Sequence, residues 1–116
     1  MMHIDDLVDK YEKFFDLSLD SMLEVGPKYD SYKQRAKKKG IKFKLNFRHF
    51  DAIVKKPCHY CNHKEEGGIV GIDRVDNRKG YTPLNSVPCC WTCNRAKSNM
   101  TYKEFQEYLK RFRDVK

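Results

Sequence analysis

Apolar side chains recur at helical spacing in the first third of the chain. Residues 4–15 have the i, i+4, i+7, i+8 pattern of an amphipathic helix. Its apolar positions are Leu7, Tyr11, Phe14 and Phe15. Gly26 and Pro27 then predict a break, because both residue types interrupt helices. A second helix is predicted over residues 29–39, with Gly40 as its C-terminal stop.

The next stretch changes from the two-residue period of a strand to the longer period of a helix. Residues 41–45 alternate apolar and basic side chains, which predicts a short, half-buried strand. Asn46 is a suitable N-cap for a helix that ends before Pro57. The apolar positions of that helix are Phe47, Phe50, Ile53 and Val54.

The second half of the chain predicts a β-hairpin followed by two helices. Short apolar runs predict strands at residues 69–72 and 86–89, on either side of a turn-rich stretch at 76–80. A helix over residues 91–97 should follow, and a last helix should start at Thr101, where Glu104 has capping-box spacing. This mixture of elements in 116 residues predicts a single compact domain of the α+β class.

Charge is distributed unevenly along the chain. Residues 1–24 hold seven acidic and two basic residues, a balance of −5, so the remainder carries +13 and the whole chain +8. Residues 28–48 contain nine basic residues and one acidic residue, Asp30. Such a block suits a nucleic-acid partner, although a solvated lysine-rich face would have the same composition. We therefore divide the chain into an acidic helical segment 1–26, a basic helix–strand–helix segment 27–57 and a cysteine-containing segment 58–116.

The composition excludes several classes of protein. Seven Phe and seven Tyr argue against a disordered chain, and the apolar runs are too short to cross a bilayer. The start of the sequence lacks the basic residues and apolar run of a secretory signal. We therefore expect a cytoplasmic protein without membrane contact, whose cysteines bind metal rather than form disulfides.

Four of the five cysteines form two Cys-x-x-Cys pairs. Cys58 and Cys61 are separated by 28 residues from Cys90 and Cys93. Two such turns complete a tetrahedral zinc site, and four thiolates leave no open position for a catalytic water, so the predicted zinc is structural. Cys89 adjoins the second pair but has poorer spacing. The nearby histidines, His59 and His63, are expected at the surface, with a phosphate contact as the alternative.

A series of short motif blocks surrounds these cysteines. They are Gly71-Ile72-Asp73-Arg74-Val75-Asp76-Asn77, Gly80-Tyr81-Thr82, Asn85, Val87-Pro88 and Cys90-x-x-Cys93-Asn94-x-x-Lys97. Earlier blocks are Ala36, Gly40, Phe43-x-Leu45, Phe50 and Pro57-Cys58-x-Tyr60-Cys61. The series resembles the HNH endonuclease family over roughly residues 31–112, and looks most like the short forms common in bacteriophage genomes.

The resemblance implies a ββα-metal core, flanked by helices, that uses Mg²⁺ or Mn²⁺ to nick or cleave DNA. Asp73 and Asn94 would hold the ion, Asn85 would order the hairpin loop, and Lys97 would face the phosphate. A carboxylate and an amide oxygen leave most of a Mg²⁺ shell to water and phosphate oxygens. The ion would stabilise charge on the leaving group.

Arg74 departs from the family pattern, because the family usually has a histidine there as general base. Arginine has no acceptor lone pair and so cannot be a base, but it could clamp the scissile phosphate. Tyr81 is the first candidate nucleophile or relay, provided that its pKa is lowered; a packed loop aromatic is the alternative. Lesser candidates are Asp76, His59, His63 and a metal-bound hydroxide.

A basic DNA-binding surface is expected around this site. Its residues are Arg74, Arg78, Lys79, Arg95, Lys97, Lys37 and Lys38. Contacts to phosphates predict weak sequence preference and binding that falls with salt. Two rival hypotheses remain: a zinc-containing DNA-binding module in which Arg74 marks an inactive site, and a phage packaging accessory that acts with a terminase. The acidic N-terminal segment could pair with a second copy of the chain.

Overall fold

The computed structural model describes residues 19–64 and 68–113, so the helix predicted at residues 4–15 lies outside the described residues. Six elements follow one another along the chain: α1 (Leu19–Lys38), α2 (Phe47–Val54), β1 (Gly71–Arg74), β2 (Ser86–Cys89), α3 (Trp91–Lys97) and α4 (Tyr102–Arg113). The fold is α+β, and a two-stranded hairpin followed directly by a helix forms its ββα core.

Helix α1 runs through the predicted break, and that prediction was wrong. Met22, Val25 and Gly26 are buried on one face, so packing holds the helix across this stretch. Pro27 lacks the N–H that would bond the carbonyl of Leu23, but both residues are exposed and solvent can replace that bond. The predicted helix over residues 29–39 is therefore the C-terminal half of a longer one.

The end of α1 follows the sequence prediction. Gly40 adopts a left-handed backbone conformation with φ 69°, which glycine tolerates without a steric penalty. The amide of Ile41 donates to the carbonyl of Ala36 at 2.8 Å, so the last turn is closed by backbone hydrogen bonds.

The strand predicted at residues 41–45 is reduced to an isolated bridge between Phe43 and Tyr81. The amide of Lys44 donates to the Tyr81 carbonyl at 2.8 Å, and the Tyr81 amide donates to the Lys42 carbonyl at 2.9 Å. A Cβ on Gly80 would lie 2.5 Å from the Lys42 carbonyl oxygen, so a glycine is required at this close approach. The segment pairs with the hairpin loop, which offers too few residues for a strand.

Helix α2 begins and ends as predicted. The Asn46 side chain accepts from the His49 amide at 2.7 Å, and the His49 ring accepts in return from the Asn46 amide, which completes a capping box. Phe47, Phe50 and Val54 are buried on the inner face. The N-cap and the apolar spacing in the sequence were sufficient to predict this element.

Strands β1 and β2 form an antiparallel hairpin in which Asp73 pairs with Val87. Strand β2 has the predicted bounds, whereas β1 begins two residues later than predicted. Val70, assigned to the strand by its apolar character, is buried, and its amide donates to the Val54 carbonyl of α2 at 2.9 Å. An apolar residue suits both burial beneath a helix and a place in a strand, so the apolar character of Val70 could not distinguish the two.

The hairpin separates two apolar clusters. Ile72 packs into the first, together with residues of α1, of α2 and of the segment between them: Met22, Val25, Leu45, Phe47, Phe50 and Val54. Val70 and Cys89 pack into the second, which includes the cysteines and the α4 residue Phe105. Both faces of the hairpin are thus covered, which fixes the position of the side chains that it carries.

Helices α3 and α4 also follow the sequence prediction. Helix α3 has the predicted bounds, and Cys90 is its N-cap. At α4 the Thr101 amide donates to Glu104, and the Glu104 amide donates to the Thr101 hydroxyl, so the predicted capping box is present. Within residues 19–64 and 68–113, no helix combines the length and apolar character needed to cross a membrane.

Candidate active site and metal centre

The two Cys-x-x-Cys pairs meet at one point in the fold. The sulfur atoms of Cys58, Cys61, Cys90 and Cys93 all lie within 4.8 Å of one another. The Cys61 and Cys90 sulfurs are 3.7 Å apart, close to the roughly 3.8 Å edge of a tetrahedron with Zn–S bonds of about 2.3 Å. The predicted cluster is therefore confirmed, and its four sulfur donors could hold a tetrahedral metal ion.

The backbone prepares each pair for this role. After Cys61, Asn62 has a φ of 63°, which turns the chain so that the Cys58 amide donates to the His63 carbonyl. At the second pair the Cys90 sulfur accepts a hydrogen bond from the Cys93 amide at 3.4 Å. Donors of this kind stabilise a thiolate, the form in which cysteine binds a metal.

The pKa of the Cys58 thiol illustrates this preparation. Burial would raise that pKa, but hydrogen bonds from the backbone amides of Cys90, Cys61 and Tyr60 outweigh it and lower the pKa to about 7. The fifth cysteine, Cys89, is buried outside the cluster, and burial raises its pKa as it does for the cluster thiols of Cys61 and Cys93. The position of Cys89, rather than its pKa, separates it from the four candidate ligands, in agreement with its poorer spacing.

Beside the cysteine cluster, Asp73 of β1 contacts two other side chains. The Tyr60 hydroxyl donates to Oδ2 of Asp73 at 2.6 Å, and the Lys97 ammonium lies 2.8 Å from the same oxygen. Lys97 also donates to the Arg74 carbonyl at 3.0 Å. Among the described residues, Oδ1 of Asp73 accepts no hydrogen bond, so one carboxylate oxygen remains for a ligand.

A cleft of about 260 Å³ opens at this carboxylate. It is lined by Tyr32, Arg35, Ala36, Lys39, Ile41, Ile72, Asp73, Arg74, Asn77, Tyr81, Asn94 and Ser98. Four residues predicted for the active site, Asp73, Arg74, Tyr81 and Asn94, thus share one cavity. The carboxylate of Asp73 and the exposed amide of Asn94 are hard oxygen donors, which fit a Mg²⁺ or Mn²⁺ ion.

Arg74 orders the turn that follows β1. Its Nη1 donates to the carbonyls of Asn77 and Lys79, both at 2.9 Å. The guanidinium carbon lies 5.4 Å from the centre of the Tyr81 ring, within the range of a cation–π contact. The side chain is therefore tied to the loop while it lines the cleft.

Tyr81 is half-buried between aromatic neighbours. Its ring centre lies 5.4 Å from that of Phe43 and 6.2 Å from that of Tyr32. Burial raises the pKa of the phenol, and the charge of Arg74 lowers it by less. A neutral phenol at neutral pH follows from these contacts.

Asn85 stands outside the cleft and holds the hairpin loop. Its side-chain amide donates to the carbonyls of Asp76 and Gly80, at 3.1 and 2.9 Å, and its oxygen accepts from the Asp76 amide at 2.8 Å. These contacts close the loop around one side chain.

The basic residues predicted to bind DNA have different surroundings. Arg78 pairs with Asp76 at 3.1 Å, and this contact lowers the pKa of the Asp76 carboxyl to about 2. Arg95 lies over the exposed Trp91 ring at 4.7 Å. Of the lysines in this predicted set, Lys37, Lys38 and Lys79 are exposed. Lys97, which was expected to face the phosphate, is instead buried against Asp73.

The two histidines near the first cysteine pair are exposed and do not line the cleft. His59 hydrogen-bonds the Tyr102 hydroxyl at 3.0 Å, across to the start of α4. His63 contributes its carbonyl to the turn around Cys58. Their surface position agrees with the expectation from the sequence.

Three residues that the sequence analysis did not single out form a wall of the cleft: Tyr32 and Arg35 of α1, and Lys39 directly after the end of that helix. The Tyr32 hydroxyl accepts from the Ile72 amide at 3.2 Å, and the Arg35 guanidinium lies 4.6 Å from the Tyr32 ring centre. The basic block of residues 28–48 indicated this region, but composition does not tell which lysines and arginines of a helix face a cleft.

No protein-family model matches the chain. An uncharacterised protein of Acanthamoeba polyphaga mimivirus, R423, is 40% identical over 72 residues, which are 61% of this chain and 14% of that protein. The present chain thus corresponds to a small part of the length of that relative. Among solved structures, the rare-cutting HNH restriction endonuclease PacI is similar, with a TM-score of 0.62, 25% identity and 72% of each chain covered. The chain therefore has an HNH-like fold.

Proposed function

We propose that this protein is an endonuclease that hydrolyses phosphodiester bonds of DNA with the help of a divalent ion held by Asp73 and Asn94. The observation that carries the proposal is the shared cleft: Asp73, Arg74 and Asn94 line one cavity in an HNH-like fold. The similar structure is that of a DNA-cleaving enzyme of the same fold.

The two metal sites would have separate tasks. The four cysteine sulfurs suit Zn²⁺, which would hold the first Cys-x-x-Cys turn against the start of α3 and so stabilise the fold. At Asp73 and Asn94, Mg²⁺ or Mn²⁺ would supply Lewis-acid stabilisation of charge on the phosphate. Oδ1 of Asp73 and the amide oxygen of Asn94 are the oxygen atoms that the chain offers to that ion.

Positive charge in the cleft supports a phosphate-containing substrate. Arg35 lines it from α1, Lys39 from the turn directly after that helix, and Arg74 from β1. These side chains would hold the DNA backbone, and because they contact phosphates rather than base edges they would read little sequence. The exposed residues Lys79 and Arg95 would extend the surface.

Hydrolysis also requires a group that accepts the proton of the attacking water. Among the described residues, those that line the cleft include no histidine, and Arg74 has no acceptor lone pair. The sequence predicted Tyr81 as nucleophile or relay, but burial raises the pKa of its phenol. The phenol is therefore neutral near pH 7 and would act only if Arg74 or the bound ion promoted its ionisation, so we expect Tyr81 to be dispensable for cleavage.

The experiment is relaxation of a supercoiled plasmid by purified protein with Mg²⁺ or Mn²⁺. Asp73→Asn and Asn94→Ala are the site variants. Because a chelator could also remove the cysteine-bound ion, EDTA treatment is followed by Mg²⁺ alone or by Zn²⁺ with Mg²⁺. The proposal is supported if the wild-type protein cleaves the plasmid and both variants do not. It also requires that the added divalent ions restore cleavage by the EDTA-treated wild-type protein.

A DNA-binding module without nuclease activity is the second candidate, and the hydrogen bonds of Arg74 to the loop carbonyls favour it, because they assign that residue a structural task. Under this alternative, intact protein binds DNA in a salt-sensitive way and relaxes no plasmid with either ion. The same assay therefore separates the two functions. Phage origin, a packaging partner and a homodimer remain predictions from the sequence.

A further inference from the structure

The two cysteine pairs also hold the carboxylate of the proposed catalytic site. Tyr60 stands between Cys58 and Cys61, and its hydroxyl donates to Oδ2 of Asp73 at 2.6 Å. Lys97 stands one helical turn after Cys93 in α3, and its ammonium lies 2.8 Å from the same Oδ2. One residue from each Cys-x-x-Cys region therefore contacts a single oxygen of Asp73.

The burial of Lys97 makes this arrangement rigid. Its side chain is 1% exposed, and that of Asp73 is 12% exposed. A lysine ammonium removed from water is costly unless it is paired, so Lys97 has a strong preference for its contacts with Asp73 and the Arg74 carbonyl. If the carboxylate rotates away, the buried ammonium loses its negatively charged partner and the Tyr60 hydroxyl loses its acceptor.

From these contacts we infer that Lys97 and Tyr60 are positioning residues that occupy Oδ2 of Asp73 and thereby present Oδ1 alone to a divalent ion. The inference rests on the proposed function for the role of Asp73. A carboxylate with one oxygen already occupied is a monodentate ligand. That geometry suits the small octahedral shell of Mg²⁺ or Mn²⁺, whereas Ca²⁺ accepts bidentate carboxylates.

A purely structural role for Lys97 would leave the divalent-ion affinity of the site unchanged, whereas a positioning role would not. Lys97 places a positive charge beside the ion site, so its removal should strengthen divalent binding while it also frees Oδ2. In Lys97→Met we expect Mn²⁺ to bind on the order of tenfold more tightly, and Ca²⁺ to gain more than Mn²⁺. Tyr60→Phe should shift the ratio of Ca²⁺ to Mn²⁺ affinity in the same direction by a smaller factor.

The test is a Mn²⁺ titration of the full-length, zinc-loaded protein without DNA, with free Mn²⁺ followed by electron paramagnetic resonance and Ca²⁺ as competitor. Asp73→Asn identifies the site. Lys55→Met is the matched lysine control, because Lys55 pairs with Asp51 on α2 at 2.9 Å, away from the cleft. Tyr29→Phe is the matched tyrosine control, because its hydroxyl donates to the Leu45 carbonyl.

Two results together support the inference. Mn²⁺ binds more tightly to Lys97→Met than to the wild-type protein. The affinity for Ca²⁺ relative to Mn²⁺ rises in Lys97→Met and in Tyr60→Phe, but in neither control. Unchanged affinities in folded, zinc-containing variants overturn it, and so does wild-type Mn²⁺ binding that does not depend on Asp73. If Lys97→Met loses zinc or helical circular dichroism, Lys97→Gln replaces it. Its amide removes the charge but can still donate to Oδ2, so Mn²⁺ should bind more tightly without a rise in relative Ca²⁺ affinity, and unchanged Mn²⁺ affinity would overturn the inference. Asp73-dependent Mn²⁺ binding without plasmid cleavage would overturn the nuclease proposal and leave this inference standing.

Discussion

The Lys97 ammonium lies 2.8 Å from Oδ2 of Asp73, and only 1% of the lysine side chain is exposed to solvent. The pair joins the helix and the hairpin of the ββα core. The site carboxylate is therefore also the counter-charge of a buried lysine, and substitutions at Asp73 change stability as well as metal binding.

Asp73→Ala should destabilise the protein strongly, because it leaves the Lys97 charge buried without its partner. Breaking a buried ion pair from one side typically costs about 3–5 kcal/mol. Asn94→Ala, at an exposed position on α3, should cost much less. Urea unfolding of the zinc-loaded proteins measures both. Equal stability of the two variants would contradict the prediction, and for this reason Asp73→Asn is the better activity variant.

Local signals in the sequence predicted the elements that surround this pair. Asn46 as a cap, the capping box at Thr101 and Glu104, and the bounds of β2 and α3 depend on residues close in sequence. The pairing of cysteines 28 residues apart was also predictable, because two Cys-x-x-Cys turns have a common geometric solution around one ion.

The remaining features depend on contacts between distant segments. Lys97 has a helical spacing that fits either a phosphate contact or a buried ion pair, and the packing of α3 on the hairpin decides between them. Pro27 suggests a break, yet buried neighbours keep α1 continuous. Arg35 lines the cleft because of the position of α1, which no local pattern encodes.

Removal of a cluster cysteine should abolish one bound zinc per chain. Cys93→Ala leaves three sulfur donors, whereas Cys89→Ala removes a buried thiol that lies outside the cluster and should keep the metal. Zinc content by mass spectrometry, together with circular dichroism before and after chelation, provides the measurement. Loss of zinc in Cys89→Ala with retention in Cys93→Ala would reverse the assignment of ligands.

Tyr81→Phe should retain most of the nuclease activity, because the buried phenol has a raised pKa and is neutral near pH 7. Loss of a group that transfers a proton typically lowers the rate by about 10²–10⁴-fold. Single-turnover plasmid cleavage in excess Mg²⁺ measures the effect. A decrease within that range, in a variant that still binds DNA, would instead establish Tyr81 as the nucleophile or relay that the sequence predicted.

Alkaline pH should destabilise the fold above about pH 10. Burial raises the pKa of Tyr29, Tyr32 and Tyr81 from 10.0. Below pH 10 these phenols are neutral in both states and their contribution is fully present; as pH rises, the unfolded chain loses protons first and stability falls. Urea unfolding of zinc-loaded protein between pH 8.5 and 11 measures the slope. Tyr32→Phe should reduce that slope, and an unchanged slope would rule out this cause.

DNA binding should depend more on Arg35 than on Lys37, although they are two residues apart. Arg35 of α1 and Lys39, directly after the end of α1, both line the cleft, whereas Lys37 lines a groove with Lys33 and Phe43 on another face of the helix. Arg35→Gln and Lys37→Gln remove one positive charge each, so a difference reports position rather than net charge.

The loss of one phosphate contact should reduce the slope of log affinity against log salt by about one. Fluorescence anisotropy with duplex DNA across a salt series should show that reduction in Arg35→Gln. An equal reduction in Lys37→Gln would mean that the DNA covers both faces of α1, as the broad basic surface predicted from the sequence requires.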